Sequence, residues 1–461
     1  MQNTSNSTGP ATRREFLKKT AIASAAVAAA PFLRTPVYGQ DTAPSVGVIG
    51  ANNRINVGYI GVGGQGFNAH VTLMKKHATE NNIAQVAVCD VWKYRVDRAK
   101  TFIDDPGCKG YSDYNQLLEQ KDIDAVVIAT HDPIHAPATI AALGAGKHVY
   151  VEKPLTRYLP EAFAIQDAVK KSGKILQLGS QGCSAQAWHE AAKIIEAGGI
   201  GKPVWAQGYY CRNSKEGEWN YKIDTNFKNN ADVNWDAWLG GVKKRVPFNP
   251  EHYFRWRKFF PYCAGLLGDL VPHRLNPLMV ATGNPQFPTR VVCVGTRPVG
   301  ADNTSGALMR DVPEHVEIIA EFPNGFSMVI GASTVNAKSP GFVIYGHKAT
   351  LEIGNAGERL KIVPELPFTE EIEMDELTGL QPIEDIGAHH KNWLVCIRDG
   401  GVPNANIDLA TKVQTVVSLA EMSERLGVAC YFDEKTRKIT TGLGSEAREI
   451  APMTYGTSEL S

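Results

Sequence analysis

Residues 55–66 read "INVGYIGVGGQG". A short β-rich run ends in Gly61, Gly63 and Gly66, spaced G-x-G-x-x-G, and "FNAHVTLMKKH" behind it has the pattern of a helix. Strand, glycine turn and helix in that order make a phosphate cradle. The first glycine permits the tight turn and the second lets the backbone approach a pyrophosphate. The third allows close helix–strand packing, while the helix start supplies partial positive charge. A rival lies just upstream, "VGVIG" at 46–50, but "ANNR" follows it, a polar turn cluster with no phosphate loop. The binding strand is therefore the second copy.

Working outward, "AQVAVCD" is a second apolar strand that ends in Asp90. An acid at that place hydrogen-bonds the adenosine ribose hydroxyls and repels a 2′-phosphate, which favours NAD over NADP. The competing reading of Asp90 is a cap or turn residue. "YSDYNQLLEQKDIDAVVIAT" gives a short helix and a buried strand over 124–130, and "APATIAALGAGKHVYVEKP" gives helix, glycine stop and strand. Strands alternating with helices indicate a parallel sheet with right-handed crossovers, a Rossmann domain over residues 45–180.

The fold starts late because of what precedes it. "TRREFLKKTAIASAAVAAAPFL" pairs Arg13 and Arg14 ahead of an Ala-rich apolar run ending at Leu33. That run falls short of the roughly 20 residues a permanent membrane span needs. Residues 1–44 are expected to be a twin-arginine export signal and linker, which addresses the chain to the export machinery and to the periplasm or another exported location. A basic N-terminal tail is the competing reading.

The chain has 461 residues, 43% of them hydrophobic and 21% charged, which is soluble, multi-domain composition. Lys plus Arg equals Asp plus Glu at 48 each, so nothing electrostatic recommends a nucleic acid as partner. Eight cysteines form no C-x-x-C pair and no metal-ligand spacing, and no metal is expected.

After residue 180 the pattern changes. "SAQAWHEAAKIIEAGGIGKPVWAQGYY" reads as helix, glycine stop and strand; "RVVCVGTRP", "HVEIIAEF" and "FSMVIGAST" follow as strands, the last two joined by a "PNG" hairpin signal. Residues 181–432 are expected to form an α+β domain with a mostly antiparallel open sheet, and 433–461 a C-terminal tail. His389 and His390 open a helix, but as sequence neighbours they do not share its face. Five of the eight tryptophans (Trp205, Trp219, Trp235, Trp238 and Trp256) lie near Tyr209, Tyr210, Tyr221, Tyr253, Arg255 and Arg257. Such aromatics suit a sugar ring, though packing is the commoner use.

With "GVGGQG", "VCD", "THDPIHAPATIAALGAGKHVYVEKPL" and "GLLGDLVPHRLN" in view, the chain resembles the Gfo/Idh/MocA oxidoreductases from about Ile55 to Phe432. The resemblance implies a sugar or cyclitol substrate, a homo-oligomer and a nicotinamide cofactor. It places Gly61, Gly63, Gly64, Gln65 and Gly66 on the phosphates, Asp90 on the ribose, and Thr130, His135 and Glu152 on the cofactor side. Lys153 of E-K-P would lie beside both nicotinamide and substrate, followed by Pro154, whose preceding peptide is often cis in relatives. His273 would be the general base, with Asp269 either binding substrate or orienting the histidine. Without the resemblance, Asp269 and His273 read as a helix cap and a polar helix residue. Cys263, Ala264, Val271 and Asn276 depart from the family pattern, as does His131. An exported enzyme meets little free NAD, so the cofactor is expected to stay bound; an NAD-dependent glycosidase acting by transient oxidation satisfies the same constraint.

Overall fold

The computed structural model describes residues 53–354, 356–381 and 384–456. The export signal, its linker and "VGVIG" lie outside the described residues.

The first sheet runs β1 (Ile55–Ile60), β2 (Ile83–Cys89), β3 (Lys109–Tyr111), β4 (Ala125–Ile128), β5 (His148–Glu152) and β6 (Leu176–Gly179). Its order is β3-β2-β1-β4-β5-β6 with every pairing parallel. The order reverses between β1 and β4, so the crevice for a ligand opens above their carboxyl ends. β4 is buried at every position because helices cover both faces. The stretch after Gly66 is not a plain α-helix. Gly66–Val71 is a π-helical turn running into Thr72–Lys76, a local widening found mostly at functional sites.

The second sheet collects β7 (Pro203–Cys211), β8 (Arg290–Thr296), β9 (His315–Glu321), β10 (Ser327–Ser333), β11 (Phe342–Gly346), β12 (Ala349–Ile353), β13 (Arg359–Pro364) and β14 (Asp375–Thr378), then β15 (Cys430–Asp433), β16 (Lys438–Thr440) and β17 (Glu449–Ile450). Its order is β14-β13-β12-β11-β7-β10-β9-β8-β15-β16-β17, and only β7 with β10 is parallel. The "PNG" signal does turn β9 into β10, with Gly325 at φ +78°. Alternation along β8 and β9 buries Val291, Cys293, Val316 and Ile318 and leaves Val292, Val294 and Ile319 outward.

Two features of the packing differ from the linear reading. Residues after Phe432 continue the sheet as β16 and β17 instead of trailing from it, because Ile439 is an inward apolar position. The chain also returns to its first domain. Helix Ile386–Asp399 places Trp393 and Leu394 in the same core as Val57, Tyr59 and Tyr150, so packing does not follow a cut at residue 180. Helix Ile407–Leu426 starts at Asn406, whose side chain accepts from the Asp408 and Leu409 amides, and stops at left-handed Gly427. Across it, Glu421 takes the buried Arg157 guanidinium in a two-pronged pair at 2.7 Å. The two halves of the chain thereby form one framework for the crevice.

Candidate functional site

At the crevice's first end, β1 delivers Gly61 with φ +84°, and a Cβ there would stand 2.8 Å from the Ala129 carbonyl oxygen. A Cβ on Gly66 would collide with the carbonyl of Gly61, whereas one on Gly64 would meet nothing within 4 Å. Gly61 and Gly66 keep the turn tight while Gly64 faces open space, which suits backbone amides cradling a pyrophosphate. Asp90 is buried at the end of β2, where Oδ2 accepts from the Val62 amide and Oδ1 from the Trp92 amide, both at 3.0 Å. It therefore also shapes the loop. Each oxygen retains a lone pair for a ribose hydroxyl. These residues fit a dinucleotide, with Gly61–Gly66 on the phosphates and Asp90 on the adenosine ribose.

Two arginines join this end that the motif did not announce. Arg95 brings Nη1 to 3.9 Å from Asp90 Oδ2, with its guanidinium over Trp92 and Tyr253 at 5.2 and 5.0 Å. Arg98 donates to the carbonyls of Val62 and Gly63. The aromatic segment after β7 closes over the same edge. Val233 bridges Trp92, the Asn234 amide donates to the Val91 carbonyl, and Trp238 stacks on His131 at 3.9 Å. Trp235 stacks on Trp238 in turn, and Trp205 stacks on Tyr345 in the second sheet. These rings are chiefly packing.

β5 ends in Glu152, followed by Lys153 and the cis Lys153–Pro154 peptide. Glu152 Oε2 accepts from the Lys153 amide, and Oε1 receives Gln65 Nε2 and His70 Nε2 at 3.0 and 2.8 Å. Burial would raise this carboxyl, but His70, Lys153 and Gln65 bring it down to about 2. His70 reaches on to His390 at 2.8 Å, while His389 binds Ser184 and the Leu178 carbonyl. His135 is buried, with Nδ1 2.7 Å from the Pro154 carbonyl oxygen and Nε2 3.3 Å from that of Thr130. Burial lowers its pKa, so the neutral ring has one N–H to give, and the shorter contact is to Pro154. The structure thus gives His135 the work of joining those two loops. Thr130 hydrogen-bonds through Oγ1 to the His131 carbonyl at 3.2 Å.

The second end lies where Lys153 meets the other half of the chain. Helix Leu266–Asp269 and helix Pro272–Ala281 are separate, with Pro272 in the first turn of the latter, so Asp269 and His273 do not occupy one continuous helix. Lys153 Nζ donates to Asp269 Oδ1 and to its carbonyl, at 2.7 and 2.8 Å. Arg257 Nε donates to the same Oδ1 at 2.9 Å, and Trp219 Nε1 to Oδ2 at 3.1 Å. Burial opposes ionisation here, yet Arg257 and Lys153 hold the Asp269 carboxyl well below the usual range. Trp219 is a bulky residue at φ +66°, an uncommon backbone state that sets its buried indole on this carboxylate.

Asp269 accordingly positions the lysine; the alternative, that it orients the histidine, does not hold. The acid facing His273 is Glu384, 3.5 Å from Nδ1. Burial, then the Lys153 charge, lowers the His273 pKa, so near neutrality its ring is uncharged. Nδ1–H directed at Glu384 leaves Nε2 as the basic nitrogen. The His273 hydrogen bond and charge bring the Glu384 carboxyl down to about 2. Tyr210 meets the imidazole edge-on at 5.2 Å, and Arg274 covers the tyrosine ring. Asn276 is buried and donates to the Pro272 carbonyl within its own helix. Asp132 is buried beside Gly268, its Oδ2 without a hydrogen-bond partner among the described residues, and burial pushes its carboxyl up to about 7 against the charges of Arg257, Arg157 and Lys153.

Sequence comparison agrees with this geometry. Residues 55–180 match the profile described as "Oxidoreductase family, NAD-binding Rossmann fold", and residues 242–352 match "GFO/IDH/MocA C-terminal domain". The chain belongs to the Gfo/Idh/MocA oxidoreductase family. It is similar to inositol 2-dehydrogenase of Salmonella typhimurium, 31% identical over 35% of this chain and 47% of that protein. It is also similar to a glycosyl hydrolase family 109 protein of Saccharopolyspora erythraea, 27% identical over 58% of this chain and 54% of the relative. The chain spans about half the length of the curated relatives it matches. Its fold is that of levoglucosan dehydrogenase, solved with NADH and levoglucosan: TM-score 0.61 at 20% identity, over 82% of this chain and 98% of the other.

Proposed function

We propose that this protein is an exported NAD-dependent oxidoreductase that exchanges a hydride between a tightly bound nicotinamide and a hydroxyl of a sugar or cyclitol. The observation that carries the reading is the convergence of Lys153 and His273 on one crevice, next to the glycine cradle. When bound, the nicotinamide supplies the hydride acceptor. Lys153 has three N–H donors, of which Asp269 takes two, leaving one for the substrate oxygen. That contact steadies the oxygen as charge develops on it. His273 Nε2 takes the hydroxyl proton, and Glu384 stabilises the imidazolium that forms. The similarity to inositol 2-dehydrogenase supports the substrate class. Among the described residues no helix is long and apolar enough to cross a membrane. The outward valines and isoleucine of β8 and β9 offer a surface for a homo-oligomer.

Protein purified from the exported fraction without added cofactor tests this. Denaturation should release near-stoichiometric NAD or NADH, and a polyol should change absorbance at 340 nm. An empty site with no response to any polyol overturns the proposal. Turnover should fall in acid with an apparent pKa below 6.5, since protonated His273 cannot accept a proton.

A second reading is an NAD-dependent glycosidase, favoured by the similarity to the glycosyl hydrolase family 109 protein along more than half of this chain. Transient oxidation would acidify the neighbouring C–H for removal by His273. Release of nitrophenol from a glycoside without net NADH formation would establish it, and steady NADH production from a free sugar would exclude it.

A further inference from the structure

The donors around Lys153 and His273 distinguish between sugars. Four basic side chains (Lys153, Arg212, Arg257 and Arg274) face three carboxylates (Asp269, Glu218 and Glu384). Each carboxylate already has a cationic partner, and Asp269 has two; the fourth acid, Glu152 beside Lys153, spends its oxygens on His70, Gln65 and the Lys153 amide. The unspent donors are readable from the hydrogen bonds. Arg274 donates Nε to the Tyr209 carbonyl and faces Glu384 with Nη1; Arg212 divides Nη1 and Nη2 between Glu218 and the Tyr210 hydroxyl. Arg257 uses only Nε, on Asp269 Oδ1. Its two terminal nitrogens have no hydrogen-bond partner among the described residues, and its side chain is 25% exposed. The guanidinium sits over Trp256, its Cζ 4.3 Å from the ring centroid, a contact that steadies the side chain.

Lys153 Nζ and Arg257 Nε share one oxygen of Asp269, so the open fork stands beside the group assigned to the reacting oxygen. A planar pair of N–H donors matches a carboxylate bidentately. Asp132 lies behind them, and with its carboxyl pushed up to about 7 by burial it is only partly ionised at neutrality. We infer that the substrate is an acidic sugar whose carboxylate binds Arg257 while a ring hydroxyl meets Lys153 and His273. This rests on the oxidoreductase reading. The C–H bond breaks with its electron pair passing to bound NAD⁺, the O–H proton passes to His273, and ketone and NADH result.

The experiment compares D-glucuronate, D-galacturonate, glucose, galactose, glucose 6-phosphate and myo-inositol on the NAD-loaded protein, by absorbance at 340 nm and by calorimetric binding. A uronate should show a KM or Kd about 10-fold or more below that of its neutral parent. In Arg257→Gln that ratio should collapse toward one, with melting temperature and bound nucleotide confirming a folded protein. A neutral sugar equal to its uronate, or a preference for the sugar phosphate, overturns the inference while leaving the oxidoreductase reading intact. If no compound changes the bound cofactor, the oxidoreductase reading fails instead. Wild-type calorimetry then still decides whether the site selects a carboxylate.

Discussion

The two ends of the crevice are built by different rules. The cofactor end is local: Gly61 to Gly66 are sequence neighbours, they act through backbone, and one strand later Asp90 completes them. The reaction end is assembled from Lys153, Trp219, Arg257, Asp269, His273 and Glu384, which lie on separate elements and act through side-chain atoms. A backbone site tolerates change outside its glycines, whereas a side-chain site depends on every element that aims a donor. Substitutions at the two ends should therefore fail differently.

The largest effect expected is from Lys153→Ala, which removes the donor to the reacting oxygen. Turnover should fall about 100- to 1,000-fold, while nucleotide released on denaturation stays at the wild-type level. Loss of nucleotide along with turnover would mean that the two ends are not separable. The converse variant is Gly66→Ala, whose methyl would collide with the Gly61 carbonyl. Bound nucleotide should drop several-fold, measured by mass after denaturation, and retention at the wild-type level would show that the turn relaxes at little cost.

A smaller effect is expected from Trp219→Phe, which leaves the buried Asp269 Oδ2 without its donor. The cost is about 1–3 kcal/mol, divided between a lower melting temperature and a lower kcat, with nucleotide content unchanged. If only the melting temperature moves, Trp219 supports the fold and not the aim of Lys153.

The smallest is a pH effect at Asp132, which lies between the ends. Its carboxyl is raised from 3.8 to about 7 by burial. Between those values the folded protein holds a proton that the unfolded chain releases. The stabilisation is thus fully present below pH 3.8 and is lost as pH rises to 7. Asp132→Asn removes this titration, so the variant's melting temperature should rise relative to wild type across that window, by a few degrees at most. Parallel melting curves at every pH would show that Asp132 is ionised throughout.

The difference between the ends also explains what could be read in advance. The glycine spacing, the acid closing β2 and the alternation of strands and helices are contiguous patterns, and they led directly to the parallel sheet and its cradle. Lys153, Asp269 and His273 were legible only through resemblance, since an isolated lysine or a D-x-x-x-H spacing has many bland uses. Arg257 was visible as one basic residue among aromatics, with nothing to mark its open fork. Glu384, Arg95 and His70 carried no signal, because their partners lie on distant elements. His135 was expected on the cofactor side, and its ring nitrogens face the Pro154 and Thr130 carbonyls, contacts that the sequence did not announce.

By itself, then, the sequence determined the cofactor cradle, the class of both sheets and the turn between β9 and β10, all of which depend on residues a few positions apart. Only the tertiary structure decided that Asp269 serves the lysine, that Glu384 serves the histidine and that helix Ile386–Asp399 returns to the first core. Those outcomes depend on which buried charges meet, and the meeting is set by the packing of elements far apart in the chain.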